Sequence, residues 1–206
     1  MRVAAAVQLK GGTGKSTALT NAAVAAEARG LSVAIADTDP QASSAMWAAA
    51  RGRDAPHVAS ITARQLPGWL AENQDAFDLV FVDTPAHDTD TLADAAKLAD
   101  LAIIVTEPTY LANAVAARIR TAFVQERIEY AILMTRTPSQ LNRRLNHWLA
   151  LHRELGTVVD AHLAYRVAYQ DAVAVGLGVV EYEPDGPAAH EVRAATDWIL
   201  KKLELA

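Results

Sequence analysis

Eight consecutive residues near the start, Lys10-Gly11-Gly12-Thr13-Gly14-Lys15-Ser16-Thr17, constrain this chain more than any other stretch. They follow a short apolar run, Val3 to Val7, and lead into a segment that reads as a helix. Three glycines in four positions let the backbone turn tightly and line up successive N–H groups as an anion-binding nest. A helix N-terminus behind such a nest adds the positive end of its dipole, so strand, loop and helix together are suited to hold phosphate. In such a loop Lys15 reaches the β- and γ-phosphates and the Ser16 hydroxyl is placed for Mg2+, while Gly11, Gly12, Thr13, Gly14 and Thr17 complete the cradle. The usual spacing, G-x-x-x-x-G-K-[ST], would put a glycine at position 9. Leu9 stands there instead, and an additional lysine, Lys10, opens the loop.

The remaining sequence is organised as a single α/β domain over residues 1–206. Strand-length segments dominated by apolar residues recur at 2–8, 31–36, 78–82, 101–105, 130–134 and 158–163, with a shorter one near 57–61. Runs apolar at every position belong to strands buried on both faces. Helical segments are expected at 15–29, 42–51, 63–74 (disturbed by Pro67), 89–98, 111–126, 139–155, 166–175 and 187–204. Strand and helix alternate, which implies right-handed βαβ crossovers and a mainly parallel, twisted sheet of about seven to eight strands with helices on both faces. Hydrophobic residues make up 51% of the chain but aromatics only 6%, and alanine is abundant, as suits close helix–sheet packing. The absence of cysteine excludes disulfides, iron–sulfur ligation and thiolate zinc sites. With no apolar run near 20 residues and no charged-then-apolar leader, the expectation is a cytoplasmic protein without a membrane span.

Three acidic residues fall at strand ends, where ligands bind in open parallel sheets. Asp37 and Asp39 follow the run ending at Ala36, and Asp83 closes the run Leu79-Val80-Phe81-Val82. An apolar strand ending in aspartate puts one negative charge beside the phosphate loop, where it can hold Mg2+ through water. Turn formation alone would also account for Asp37-Thr38-Asp39-Pro40.

The run K-G-G-x-G-K-[ST] resembles the deviant Walker A motif of the ParA/MinD ATPases, a three-layer P-loop NTPase fold. Asp37-Thr38-Asp39-Pro40-Gln41 resembles that family's second motif, and Asp83-Thr84-Pro85 its D-T-P-P run, with Ala86 replacing the second proline. The resemblance implies bound ATP and Mg2+, with Asp39 orienting the attacking water and Asp37 and Asp83 serving the Mg2+ hydration shell. It further implies a homodimer in the ATP state, with Lys10 crossing to the partner's nucleotide. Pro108 would lie in a loop near the nucleotide. Arg136 occupies the position that reads adenine, where the family's usual asparagine is missing. Residues 176–182 and 186–189 would close the base pocket.

Net charge is −5, yet the window 108–153 holds seven arginines (Arg118, Arg120, Arg127, Arg136, Arg143, Arg144, Arg153) against Glu126 and Glu129. A solvated helix face is one reading of this bias. Contact with the phosphates of non-specific DNA is the other, and Arg120, Arg143, Arg144 and Arg166 are the candidates. The function that the resemblance implies is that of a small ParA-type partition ATPase: ATP-dependent dimerisation, non-specific DNA binding, nucleoid association in the ATP state, and hydrolysis stimulated by a ParB-like partner. A MinD-like membrane-cycling ATPase is the alternative, through the amphipathic tail 197–205, and an ATP-dependent amidoligase a more distant one.

Overall fold

The computed structural model describes residues 1–140 and 142–206. Seven strands are present among them: β1 (Arg2–Val7), β2 (Val33–Asp37), β3 (His57–Ser60), β4 (Leu79–Asp83), β5 (Leu101–Thr106), β6 (Tyr130–Thr137) and β7 (Val158–Ala164). They form one sheet in the order β3-β2-β4-β1-β5-β6-β7, parallel at every pairing. The fully apolar runs become β1, β2, β4 and β5, the central strands, in which every residue from Val3 onward is buried.

The nine helices among the described residues are α1 (Lys15–Glu27), α2 (Ser43–Arg51), α3 (Leu66–Glu72), α4 (Thr89–Leu98), α5 (Tyr110–Glu126), α6 (Arg143–Leu155), α7 (Val167–Ala174), α8 (Val179–Tyr182) and α9 (Pro187–Lys202). Alternation along β1 sorts the two sides of the sheet. Ala4 and Ala6 face a core built with α1, α2, α7, α8 and α9, while Val3, Ala5 and Val7 face one built with α3, α4 and α5. Small side chains let α1 approach closely. Ala18, Ala22, Ala23, Ala25 and Ala26 all join the first core, so the alanine-rich composition is spent at the helix–sheet contact.

Some boundaries differ from the sequence expectation. The helix expected at 63–74 is a 3-10 turn (Ala63–Gln65) followed by α3, and Pro67 lies in the first turn of α3, where its missing N–H costs nothing. The helix expected from 139 begins at Arg143, capped by the Asn142 side chain on the Leu145 N–H at 2.8 Å. Leu141, part of that expected span, lies outside the described residues. β6 runs three residues further than expected, so Arg136 lies within it. The four-residue α8 is too short to show helical periodicity in sequence.

Candidate nucleotide site

The site lies at the carboxyl ends of β1, β2 and β4, the three strands the sheet order brings together. The loop after β1 turns on two left-handed glycines, Gly12 at φ 76° and Gly14 at φ 87°, a region that side chains rarely adopt. Gly14 is the residue before α1, so the backbone of the loop runs directly into the N-terminus of the helix. Thr135, at the end of β6, donates its hydroxyl to the Thr13 carbonyl at 2.6 Å and to the Thr106 carbonyl at 3.1 Å, tying the loop to β5 and β6. A cavity of about 450 Å3 opens over residues 11–17 and is lined further by Asp39, Gln41, Trp47 and Arg136. Lys15 is buried there, with its Nζ 3.3 Å from the Gln8 carbonyl. Burial lowers its pKa, and Asp83 and Asp39 oppose that shift.

Asp37 and Asp83 are register partners on the adjacent strands β2 and β4. Both are buried. Asp37 accepts from the Asp39 N–H at 3.1 Å and the Ala45 N–H at 3.0 Å, and burial raises its pKa. Asp83 accepts from the Ser44 hydroxyl at 2.8 Å. Burial pushes its pKa up to about 6, against the Ser16 and Ser44 hydroxyls, while Asp37 adds to the rise and Lys15 counters it. Its Oδ1 is buried without a hydrogen-bond partner in the structure. An orphaned, desolvated carboxylate oxygen beside a serine hydroxyl and a phosphate cradle fits a hydrated Mg2+, which keeps most of its waters and needs few protein ligands. The residues present therefore fit a Mg–nucleotide.

Asp39 lines the same cavity, half-buried, with its Oδ1 accepting from the Gln41 N–H at 2.9 Å. Lys10 does not line it. Its ammonium pairs with Glu107 of the same chain, at the end of β5. Pro108 is likewise absent from the lining of this cavity and borders a neighbouring groove, together with Glu107, Arg136 and Arg144. Arg136 is exposed, left-handed at φ 50°, and lines the phosphate cavity, that groove and a third pocket. This third pocket, about 180 Å3, continues from Gly14 and Thr17 to Leu163, Tyr165, Tyr169, Gln170 and Val173 and is the candidate base pocket. α7 forms its outer wall. Neither expected closing segment, 176–182 or 186–189, lines this pocket.

Two arginines named as DNA contacts are half-buried and have partners within the fold. Arg166 pairs with Glu191 through Nε at 2.9 Å and Nη2 at 2.6 Å, and Arg120 Nε meets the Tyr130 hydroxyl at 3.3 Å. Arg143 and Arg144 are exposed at the start of α6. Sequence reasoning missed Ser44 and Trp47. Ser44 lies within one helical turn of the Asp37–Gln41 motif, a spacing that could have suggested it.

A profile of the CobQ/CobB/MinD/ParA nucleotide binding domain matches residues 4–179. Maintenance of carboxysome distribution protein A of Gloeobacter kilaueensis is 31% identical over 212 residues, covering 98% of this chain and 94% of that protein. The septum site-determining protein MinD of Pyrococcus horikoshii, complexed with Mg-ADP, has the same fold, with a TM-score of 0.81 at 17% identity over 96% of this chain and 95% of that one. pNOB8 ParA bound to nonspecific DNA matches with a TM-score of 0.71 at 13% identity over 98% of each chain. With the phosphate loop, the paired carboxylates and the sheet order in agreement, the chain belongs to the CobQ/CobB/MinD/ParA family of nucleotide-binding domains.

Proposed function

We propose that this chain is a ParA-type positioning ATPase that dimerises on ATP, binds DNA without sequence preference and releases it on hydrolysis, so moving a DNA cargo. The observation that carries this reading is the placement of Lys10. It belongs to the phosphate loop, yet its half-buried ammonium lies outside the cavity of its own chain, paired with Glu107 beside β5. A cation so placed is available to the phosphates of a second copy docked face to face.

Within one copy, the N–H groups of the loop and the Lys15 ammonium hold and orient the phosphates. Bound Mg2+ supplies charge neutralisation on the phosphate oxygens. Ser16, Asp37 and Asp83 are the groups that fit it. Asp39 has its second carboxylate oxygen free to accept a hydrogen from the attacking water and align it with the terminal phosphorus. Lys10 of a second copy completes the positive surround, which ties turnover to dimerisation.

DNA binding is supported by unpaired charge. Glu126 pairs with Lys97 at 3.4 Å and Glu129 with Lys202 at 2.7 Å, so neither acidic residue of the window neutralises an arginine among the described residues. Arg118, Arg127, Arg143, Arg144 and Arg153 are exposed. Contacts of this kind add salt-dependent affinity without base readout. Gel shift with random-sequence DNA should show binding that requires ATP and falls steeply with salt. No shift at low salt with ATP would remove the DNA from this account.

A second reading of the cargo follows from the 31% relative, whose name refers to carboxysome distribution. The same cycle then positions a protein body, with a partner protein on that body stimulating hydrolysis in place of a ParB-like one. For the membrane-cycling alternative, the amphipathic tail is packed on the fold: Val192, Ile199 and Leu200 of α9 and the following Leu203 are buried in the core. Among the described residues no helix is long and apolar enough to cross a membrane.

A further inference from the structure

α2 touches both halves of the nucleotide site. Its first turn holds the carboxylates, through the Ser44 hydroxyl on Asp83 at 2.8 Å and the Ala45 N–H on Asp37 at 3.0 Å. Its middle contributes Trp47 to the wall of the phosphate cavity, with the indole N–H donating to the Leu177 carbonyl at 3.2 Å. Its last residue, Arg51, has a side chain only 3% exposed. That guanidinium donates to the Glu181 carboxylate through two nitrogens at 2.7 and 2.8 Å, to the Gly176 carbonyl at 3.0 Å and to the Ala55 carbonyl at 2.6 Å. It also lies 5.2 Å above the Trp47 ring. Glu181 in turn accepts from the Gly178 N–H at 3.0 Å. The backbones meet directly: a Cβ on Gly176, whose φ is 68°, would lie 2.1 Å from the Arg51 nitrogen. Gly176 and Leu177 follow α7 after the single residue Val175, and α7 carries Tyr169, Gln170 and Val173 on the wall of the candidate base pocket.

We propose that Arg51 is a positioning residue which, clamped by Glu181 and seated on Gly176, makes α2 a rigid lever between the base pocket and the Mg2+-facing carboxylates Asp37 and Asp83. A bidentate guanidinium–carboxylate pair fixes orientation as well as distance, so the end of α2 cannot shift independently of the 176–181 segment. A base seated against α7 then sets the position of α2, and α2 sets the two carboxylates through Ser44 and Ala45, about 10 Å along the helix from Arg51. Arg51 touches neither the nucleotide pocket nor the reacting atoms.

The inference rests on the nucleotide reading above, and its test separates the two. Mg2+ affinity is measured by calorimetry on wild type, Arg51→Lys and Glu181→Gln, each saturated either with ADP or with pyrophosphate, which has no base. Wild type is expected to bind Mg2+ about tenfold more tightly with ADP than with pyrophosphate. In both variants that difference should shrink to about twofold, through weaker binding with ADP alone, while ADP affinity in EDTA stays within about threefold. A merely structural role would weaken Mg2+ binding equally with the two anions and leave the difference intact, overturning the lever. So would a wild type that shows no difference. A wild type that binds neither anion would instead overturn the nucleotide reading.

Discussion

Asp37 and Asp83 stand directly opposite each other on adjacent parallel strands, two buried carboxylates sharing one low-dielectric corner. Each strand end is ordinary by itself. Their adjacency is what stores the charge that a cation relieves.

This corner has a pH signature. The Asp83 pKa is raised by burial to about 6 from the ordinary 3.8. A raised acid costs the folded state nothing below the unfolded value, and the cost grows between pH 4 and 6 to about 3 kcal/mol. Without nucleotide, Asp83→Asn should therefore raise the thermal midpoint at pH 7 by several degrees and leave it little changed at pH 4. Mg2+ affinity in wild type should fall about tenfold per pH unit below 6, read by calorimetry with ADP present. An Asp83→Asn midpoint at pH 7 equal to or below wild type would contradict this assignment.

His152 titrates in the opposite sense. It is 1% exposed on α6, neither ring nitrogen has a hydrogen-bond partner in the structure, and burial lowers its pKa to about 4 from 6.5. Its neutral form is the one that fits, so its contribution is intact above pH 6.5 and is lost as pH falls towards 4, by about 3 kcal/mol at most. His152→Phe should flatten that part of the stability–pH curve in urea titrations. An unchanged curve would place the acid sensitivity elsewhere.

The Lys10–Glu107 pair competes with any partner for the lysine. Glu107 is the more buried member, 13% exposed against 35% for Lys10. Pairs this accessible contribute about 0–1 kcal/mol, so removing the pair should cost little stability. Glu107→Gln is expected to leave the thermal midpoint within about two degrees and to tighten ATP-dependent self-association several-fold by sedimentation velocity. Unchanged association would mean that Glu107 does not restrain Lys10.

What could be read in advance was what local chemistry dictates. Gly12 and Gly14 announce the loop because no other residue takes their backbone conformation cheaply, and the runs ending at Asp37 and Asp83 announce buried strands. The sheet has seven strands, all parallel, within the number expected from the alternation. Long-range pairing was not legible. The resemblance brought Asp37 and Asp83, 46 positions apart, to one Mg2+ site, but not their register on adjacent strands, and nothing near Arg51 points to Glu181, because both pairings depend on the order in which strands and helices are laid down. The same holds for the partners of Arg120 and Arg166, two of the arginines offered as DNA contacts. Their charge is visible in sequence, whereas Tyr130 and Glu191, which hold them, are neighbours only in the fold.

The central claim is that hydrolysis is tied to dimerisation through Lys10, and Lys10→Ala tests it most directly. Calorimetric ATP binding, sedimentation velocity with ATP and steady-state phosphate release should be measured on the same preparation. The account predicts ATP affinity within about threefold of wild type, a monomer at concentrations where wild type is a dimer, and turnover lowered at least tenfold. A variant that still hydrolyses ATP at the wild-type rate would contradict it.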